Sequence, residues 1–189
     1  MKIKIKLLSN TIFGSGQSVP GGEDIAILHD KDGFPYLKAS TFKGIFREEF
    51  ENYCSLTNEL SKSDINLLFG KSGINEFEQN NSSKLYFSDF KISQNIRSIV
   101  LNEIHQPNKI LNAFTDLYTF TSIENGISKQ GSLRCARCIK KGIIFYGDII
   151  CKKEHEEIIK NVLKMIRFMG NMKTRGFGKV LIEVVNDND

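Results

Sequence analysis

Two stretches hold residues whose types and spacing could do chemistry. In "PGGEDIAILHDKDGFP", residues 20–35, four carboxylates (Glu23, Asp24, Asp30 and Asp32) crowd a glycine-containing segment together with His29. Carboxylates in such a loop can take Mg2+ through one or two ligands, with water completing the shell. "DKDG" is also an ordinary turn signature and accounts for Asp30 and Asp32. No turn rule asks for Asp24, which follows two glycines and Glu23. The second stretch is "GNMKTRGFGKV", residues 170–180, with three glycines, three cations and no acid. Lys173, Arg175 and Lys179 supply charge, and glycine lets another molecule approach the backbone closely. The ligand this suits is phosphate. The pattern is not a Walker loop, nor a dinucleotide fingerprint, because that motif follows a strand and opens a helix. A helix C-cap explains Gly170; it does not explain Gly176 and Gly178 interleaved with Arg175 and Phe177. Phe177 could stack on a base or enter the core, and burial preference favours the core.

Three further groups have weaker chemistry. "PYLKASTFKGIFRE", residues 35–48, places Ser40, Thr41, Lys43 and Arg47 in the first turns of a helix. Free N–H groups there attract phosphate, and Lys43 and Arg47, four apart, share a face. A capped helix with solvated charges gives the same pattern. "CARC" offers Cys135 and Cys138 as half a zinc site, but Cys54, Cys151, His29, His105 and His155 supply no matching pair, so zinc is not expected. The stretch "FTDLYTFTSIENGISKQGSLR", residues 114–134, reads as a hairpin turning at "ENG". It is either a solvent hairpin or an arm that contacts a partner.

These groups must be positioned by regular elements. "KIKIKLL" alternates with period two, which makes a half-buried strand with Ile3, Ile5 and Leu7 on one face and lysines on the other. Residues 10–35 read as a long loop. A helix capped by Ser40 follows, with Phe42, Ile45, Phe46, Phe50 and Tyr53 at helical spacing. Residues 84–92 form a second strand, with Leu85, Phe87 and Asp89 facing one way and Tyr86, Ser88 and Phe90 the other. Residues 142–150 form a third. A helix over 153–169 carries the stripe Ile158, Ile159, Val162, Leu163, Ile166 and Met169. "KVLIEVV" is the last strand. The order predicts an α+β fold with a ferredoxin-like βαββαβ core, the arrangement also used by RNA-recognition domains. It forms one domain over residues 1–189, with a polar excursion at about 55–83 and a larger insertion at about 93–141.

The bulk numbers agree with a folded domain. The chain has 189 residues, 40% of them apolar, and a net charge of +4 that suits nucleic acid without requiring it. No secretory leader or membrane span is expected, and the four cysteines are expected as reduced thiols in a cytoplasm.

The glycine-rich loop before the last strand, "PYLKASTFKGIFRE", "LLFG" leading to "SSKLYFSDF", and "GISKQGSLRCARCIKKGIIFYGDI" occur together and in order. In that arrangement the chain resembles the RAMP superfamily of CRISPR-associated proteins over nearly its whole length. It is most similar to the repeated backbone subunit of type III effector complexes. The resemblance implies a crRNA guide, a target RNA, other effector subunits and copies of itself as partners, with no membrane. It implies that Ser40, Thr41, Lys43 and Arg47 at the helix start, and Lys173, Arg175 and Gly176 in the glycine loop, grip guide phosphates. It implies that the hairpin around Phe120 and Thr121 is a thumb-type insertion that wedges between guide and target. It implies that Asp24 is the catalytic residue and Mg2+ ligand for target-RNA cleavage by the neighbouring ribose 2′-hydroxyl, with Glu23 the second choice. The alternatives are a non-catalytic capping subunit of the same complex and a metal-independent crRNA-processing endoribonuclease using His29, His105 or His155. EDTA separates the last from the Asp24 reaction. A usual RNA-recognition domain is not expected, because "KGIIFYGDI" lacks the aromatic motif on its third core strand.

Overall fold

The computed structural model describes residues 1–20, 22–70 and 85–185. In chain order these form β1 (Lys2–Leu7), α1 (Ala39–Thr57), α2 (Lys62–Phe69), β2 (Tyr86–Phe87), α3 (Gln94–Glu103), α4 (Pro107–Phe114), β3 (Thr115–Phe120), β4 (Ile123–Glu124), β5 (Ile127–Ser128), β6 (Arg134–Ile139), β7 (Ile144–Ile150), α5 (Glu156–Met165) and β8 (Val180–Val185). The main sheet has the order β2-β7-β1-β8, and every pairing is antiparallel. The alternation of β1 is realised: Ile3, Ile5 and Leu7 are buried, and Lys6 is exposed. Helices α1 and α5 pack on each other and on this sheet. No described helix is long and apolar enough to cross a membrane.

The core is held by phenylalanines at helical spacing. Phe42, Phe46 and Phe50 on α1 are fully buried. They meet Phe90 (4.4 Å from Phe42 between ring centroids), Phe69 (5.2 Å from Phe50) and Phe87 (5.7 Å from Phe46). Tilted and edge-on contacts like these stabilise beyond the area they bury.

Several expectations need correction. Ser40 does not cap α1. The N-cap is Lys38, and the Ala39 N–H donates instead to Asp89 Oδ1 at 2.8 Å. The excursion after α1 is not wholly irregular: α2, opened by a Ser61–Asp64 capping box, buries Ile65, Leu68 and Phe69. The remainder of that excursion, 71–83, lies outside the described residues, as does Lys84, the expected start of the second strand.

That strand is regular only at Tyr86–Phe87. Phe87 stands opposite Ile149 and Lys91 opposite Tyr146, so four steps along this segment match three along β7. The extra residue is a bulge, and a bulge reverses the side-chain alternation beyond it. Phe90, expected on the face of Tyr86 and Ser88, is therefore buried while they are exposed. Helix α5 also stops early, at Met165. Residues 167–168 leave it to pair with the start of β8, through Val180 N–H to the Arg167 carbonyl (2.9 Å) and a bridge between Phe168 and Lys179. Ile166 and Met169 still reach the core, from beyond the helix end.

Phe90 lies directly over Gly147 of β7, where an added Cβ would come 2.7 Å from the ring. Gly147→Ala is expected to destabilise the chain by about 1–3 kcal/mol, the usual cost of overpacking. Urea denaturation checks this through a lower midpoint at unchanged slope.

Candidate nucleic-acid interface

The insertion between β2 and β7 begins with α3 and α4 and then forms the expected hairpin. Strands β3 and β6 pair from Thr115–Ile139 to Phe120–Arg134, and β4–β5 forms the tip. The tip turns at Asn125 (φ 53°) and Gly126 (φ 80°), the two consecutive left-handed residues that a tight hairpin turn requires. Thr121 hydrogen-bonds Ser132 across the neck, Oγ1 to Oγ at 2.9 Å. Phe120 and Tyr118, on β3, hold Phe177 edge-on at 5.8 and 5.5 Å. Phe177 is therefore half-buried, and it joins the glycine loop to the base of the hairpin.

The loop after β1 is stitched to the same hairpin. Thr11 and Ile139 exchange both backbone hydrogen bonds, and Ile25 bridges Ala136 in parallel. Asp24 and Ile25 both donate their N–H to the Cys135 carbonyl. The Asp24 carboxylate accepts the Cys135 N–H at 2.7 Å and faces Arg134 Nη1 at 3.6 Å. Both side chains are exposed, Asp24 at 41% and Arg134 at 63%. Glu23 differs. It accepts Arg137 Nε at 2.6 Å and also pairs with Nη2, both side chains being largely buried. Arg137 donates as well to Thr115 Oγ1 and Asn112 Oδ1, both at 2.9 Å. Glu23 is thus the counter-ion that fixes loop to hairpin, and Asp24 is the carboxylate left facing solvent.

Asp30 and Asp32 are likewise engaged. Asp30 Oδ1 accepts the N–H groups of Asp32 and Phe34, the expected turn. Arg97 of α3 reaches Asp30 at 2.6 Å and Asp32 at 3.2 Å while lying 4.3 Å from the Phe34 ring centre. Cys135 and Cys138 point to opposite sides of β6; burial first, then Asp116, pushes the Cys138 thiol up to about 12.

The glycine loop shows why its glycines are spaced as they are. Gly170 (φ 84°) lies where a Cβ would be 2.4 Å from the Ile12 carbonyl oxygen. Gly178 (φ 79°) lies where one would be 2.0 Å from that of Met169. Both serve internal close packing. Gly176 (φ 84°) has open space around it. It ends a short 3₁₀ turn, Lys173–Arg175, whose side chains are exposed. Asn10 ties the parts together: its Nδ2 donates to the Tyr118 hydroxyl, its Oδ1 accepts Lys141 N–H at 2.8 Å, and its carbonyl accepts Gly178 N–H at 2.9 Å.

Three of the predicted motifs therefore converge: Asp24, the Phe120–Thr121 neck, and Lys173, Arg175 and Gly176. The α1 start is built differently. Ser40 and Thr41 are exposed and Lys43 is half-buried. Arg47 donates to Glu51 Oε1 (2.8 Å) on its own helix and to the Gly70 carbonyl (2.9 Å) and Asn66 Oδ1 (2.7 Å), and the last two clamp α1 to α2. Asn10, Arg134 and Arg137 went unnoticed in the sequence. Their importance comes from pairing across more than a hundred residues, which no local pattern records.

Among the described residues no group of three or more His, Cys, Asp and Glu side chains could hold a metal. At Asp24 the donor set is one carboxylate, already shared with an N–H and a guanidinium. It does not fit a metal held by protein side chains.

The model of the RAMP superfamily matches residues 4–181. No curated protein matches the chain by sequence. Among solved structures, the chain is similar to one in the cryo-EM structure of the Type III-B Cmr-beta bound to cognate target RNA. There the identity is 14%, the coverage 96% of this chain and 95% of that one, and the TM-score 0.70. It is also similar to a chain of the Type III-B Cmr-beta in its apo state, with 14% identity, 98% and 97% coverage, and a TM-score of 0.72.

Two predictions follow from this packing. Gly176→Ala is expected to cost about 1–2 kcal/mol, the strain of a left-handed alanine. Gly178→Ala adds about 1–3 kcal/mol of overpacking, so the two substitutions should separate clearly in thermal denaturation. Arg137→Met is expected to destabilise more than the double variant Glu23→Gln/Arg137→Met, because the single change leaves a largely buried carboxylate unpaired.

Proposed function

The chain belongs to the RAMP superfamily, and we propose that within it this protein is a guide-RNA-binding backbone subunit of a type III CRISPR ribonucleoprotein effector. The observation that carries the reading is the convergence at the hairpin base. Exposed Lys173 and Arg175, the open backbone at Gly176, the Phe120–Phe177 contact and the Asp24–Arg134 pair belong to one connected surface. Its cations suit the phosphates of a single strand, without base preference. Lys43 offers a further cation on α1; Ser40 and Thr41 add hydroxyls there. The βαββαβ order, read as a ferredoxin-like core, puts the glycine loop at the entry to its last strand.

We also propose that Asp24 and Arg134 serve target cleavage. The Asp24 carboxylate would accept the proton of a ribose 2′-hydroxyl. That oxygen would attack the adjacent phosphorus, forming a 2′,3′-cyclic phosphate and releasing the 5′-oxygen of the next nucleotide. Arg134 would pair with the phosphate as charge develops. No step is assigned to Mg2+; a hydrated ion brought by the RNA phosphates could share the exposed Asp24 carboxylate. Of the histidines, His29 faces the Asp30 carbonyl at 3.0 Å and His155 lies against Glu154.

The test uses the chain assembled with guide RNA. Lys173→Ala/Arg175→Ala is expected to weaken guide binding for every sequence and to lower the salt slope by about 1; unchanged binding and slope would place the guide elsewhere. Asp24→Asn is expected to leave guide binding intact while cutting target cleavage about 10²-fold or more. Undiminished cleavage would remove Asp24 from the reaction. EDTA titration in the same assay reads any metal requirement.

A further inference from the structure

The lysines of β1 have no part in the surface described above, yet they form a regular row. Lys2, Lys4 and Lys6 alternate with the buried Ile3, Ile5 and Leu7, so they lie on the sheet face turned away from the core. The register completes that face. Asp148 stands beside Lys2, Tyr146 and Glu183 flank Lys4, and Ile144 and Leu181 flank Lys6. Lys91, opposite Tyr146, extends the middle row, and Tyr86 faces Ile150 at the edge, both exposed. Among the described residues the face therefore presents four lysines against two acids. Glu183 pairs with Lys4 at 3.0 Å; Lys2, Lys6 and Lys91 make no ion pair among the described residues.

Alternate residues of a strand lie roughly 6.6 Å apart, a spacing comparable to that of successive phosphates in an extended single strand. Tyr146 is the aromatic ring at the centre of the lysines, and aromatic rings between cations are the usual platform for unpaired bases. The bulge after β2 contributes directly, because it brings Lys91 to this face and sends Phe90 into the core. At its Lys6 end the row runs into the glycine loop: Leu7 pairs with Val180, and the Leu8 N–H donates to the Lys179 carbonyl at 2.8 Å.

We propose that this open sheet face, through Lys2, Lys6, Lys91 and Tyr146, is a second single-stranded RNA track, continuing the strand held at the glycine loop. The identity of that strand rests on the guide-binding reading; the track itself rests on the charge and register of the face. Its bases would stack on Tyr146, and its phosphates would follow β1.

The experiment uses the full chain and a fluorescein-labelled oligouridylate. Lys2→Ala/Lys6→Ala/Lys91→Ala is expected to weaken binding about ten-fold and to lower the salt slope by about 2. Tyr146→Ala is expected to weaken it about ten-fold, and Tyr146→Phe, which keeps the ring, to restore it. Ultraviolet crosslinking should attach the probe to the peptide carrying Tyr146. Lys173→Ala/Arg175→Ala is the comparator. If that variant loses affinity while the sheet variants bind as the parent does, the track is overturned and the glycine-loop site stands. If neither set changes binding, both fall. A sheet variant with altered self-association and unaltered RNA affinity would assign the face to a protein partner and overturn the track.

Discussion

The arrangement depends on one close backbone approach, that of residues 10–12 to residues 169–178. Asn171 N–H donates to the Ile12 carbonyl, and Gly178 N–H to that of Asn10. Gly170 permits this only because it lacks a Cβ atom, and Gly178 in the same way permits the return of the loop onto Met169. Backbone polar groups in such a place must be paired, and here the two segments pair each other. Because Asn10 also holds Tyr118, the approach orients the hairpin as well. The loop after β1, the glycine loop and the hairpin thus form one unit. Their residues are far apart in sequence, and no single element positions them.

The cations divide between internal junctions and the solvent-facing surface. Arg47, Arg97 and Arg137 are each tied to two or more acceptors within the fold: α1 to α2, the turn at Asp30 to α3, and the Glu23 loop to β6. A planar guanidinium with five donors suits such junctions, where a lysine would satisfy fewer partners. The solvent-facing cations, Lys173, Arg175, Lys6 and Lys91, are held by no such junction. This division decides which carboxylate is available. Glu23, largely buried against Arg137, would be costly to strip of its partner, whereas Asp24 keeps one side to solvent.

What the sequence made legible followed from periodicity. The alternation of β1, the phenylalanine spacing of α1 and the "ENG" turn each depend on neighbours within a few residues, and each is present as read. What escaped was set by distant partners. Ser40 gave the right chemistry for a cap, but Asp89, fifty residues beyond Ala39, accepts the Ala39 N–H instead. The stripe of α5 includes Ile166 and Met169, so periodicity carried the helix too far; competition from β8 for the Arg167 carbonyl ends it. The bulge beyond Phe87 left no mark that a single strand could show, since it exists only relative to β7. The site was legible to the same extent. Lys173, Arg175 and Asp24 are exposed as their composition suggested, but Arg47 and Glu23 have the same composition and different partners.

The pairing of Asp24 has a mechanical consequence. Its N–H and carboxylate are both fixed to the backbone of Cys135, at the root of the hairpin, and Ile25 continues the attachment through Arg137 N–H. The hairpin beyond that root is exposed throughout residues 121–131, and its base meets Phe177 through Tyr118 and Phe120. Asp24 and Arg134 are thus fixed at the root of the hairpin, Lys173 and Arg175 follow the backbone beside Ile12 and Asn10, and the Thr11–Ile139 pair joins the two. These contacts, not the main sheet, set where the Asp24 carboxylate stands relative to Lys173 and Arg175.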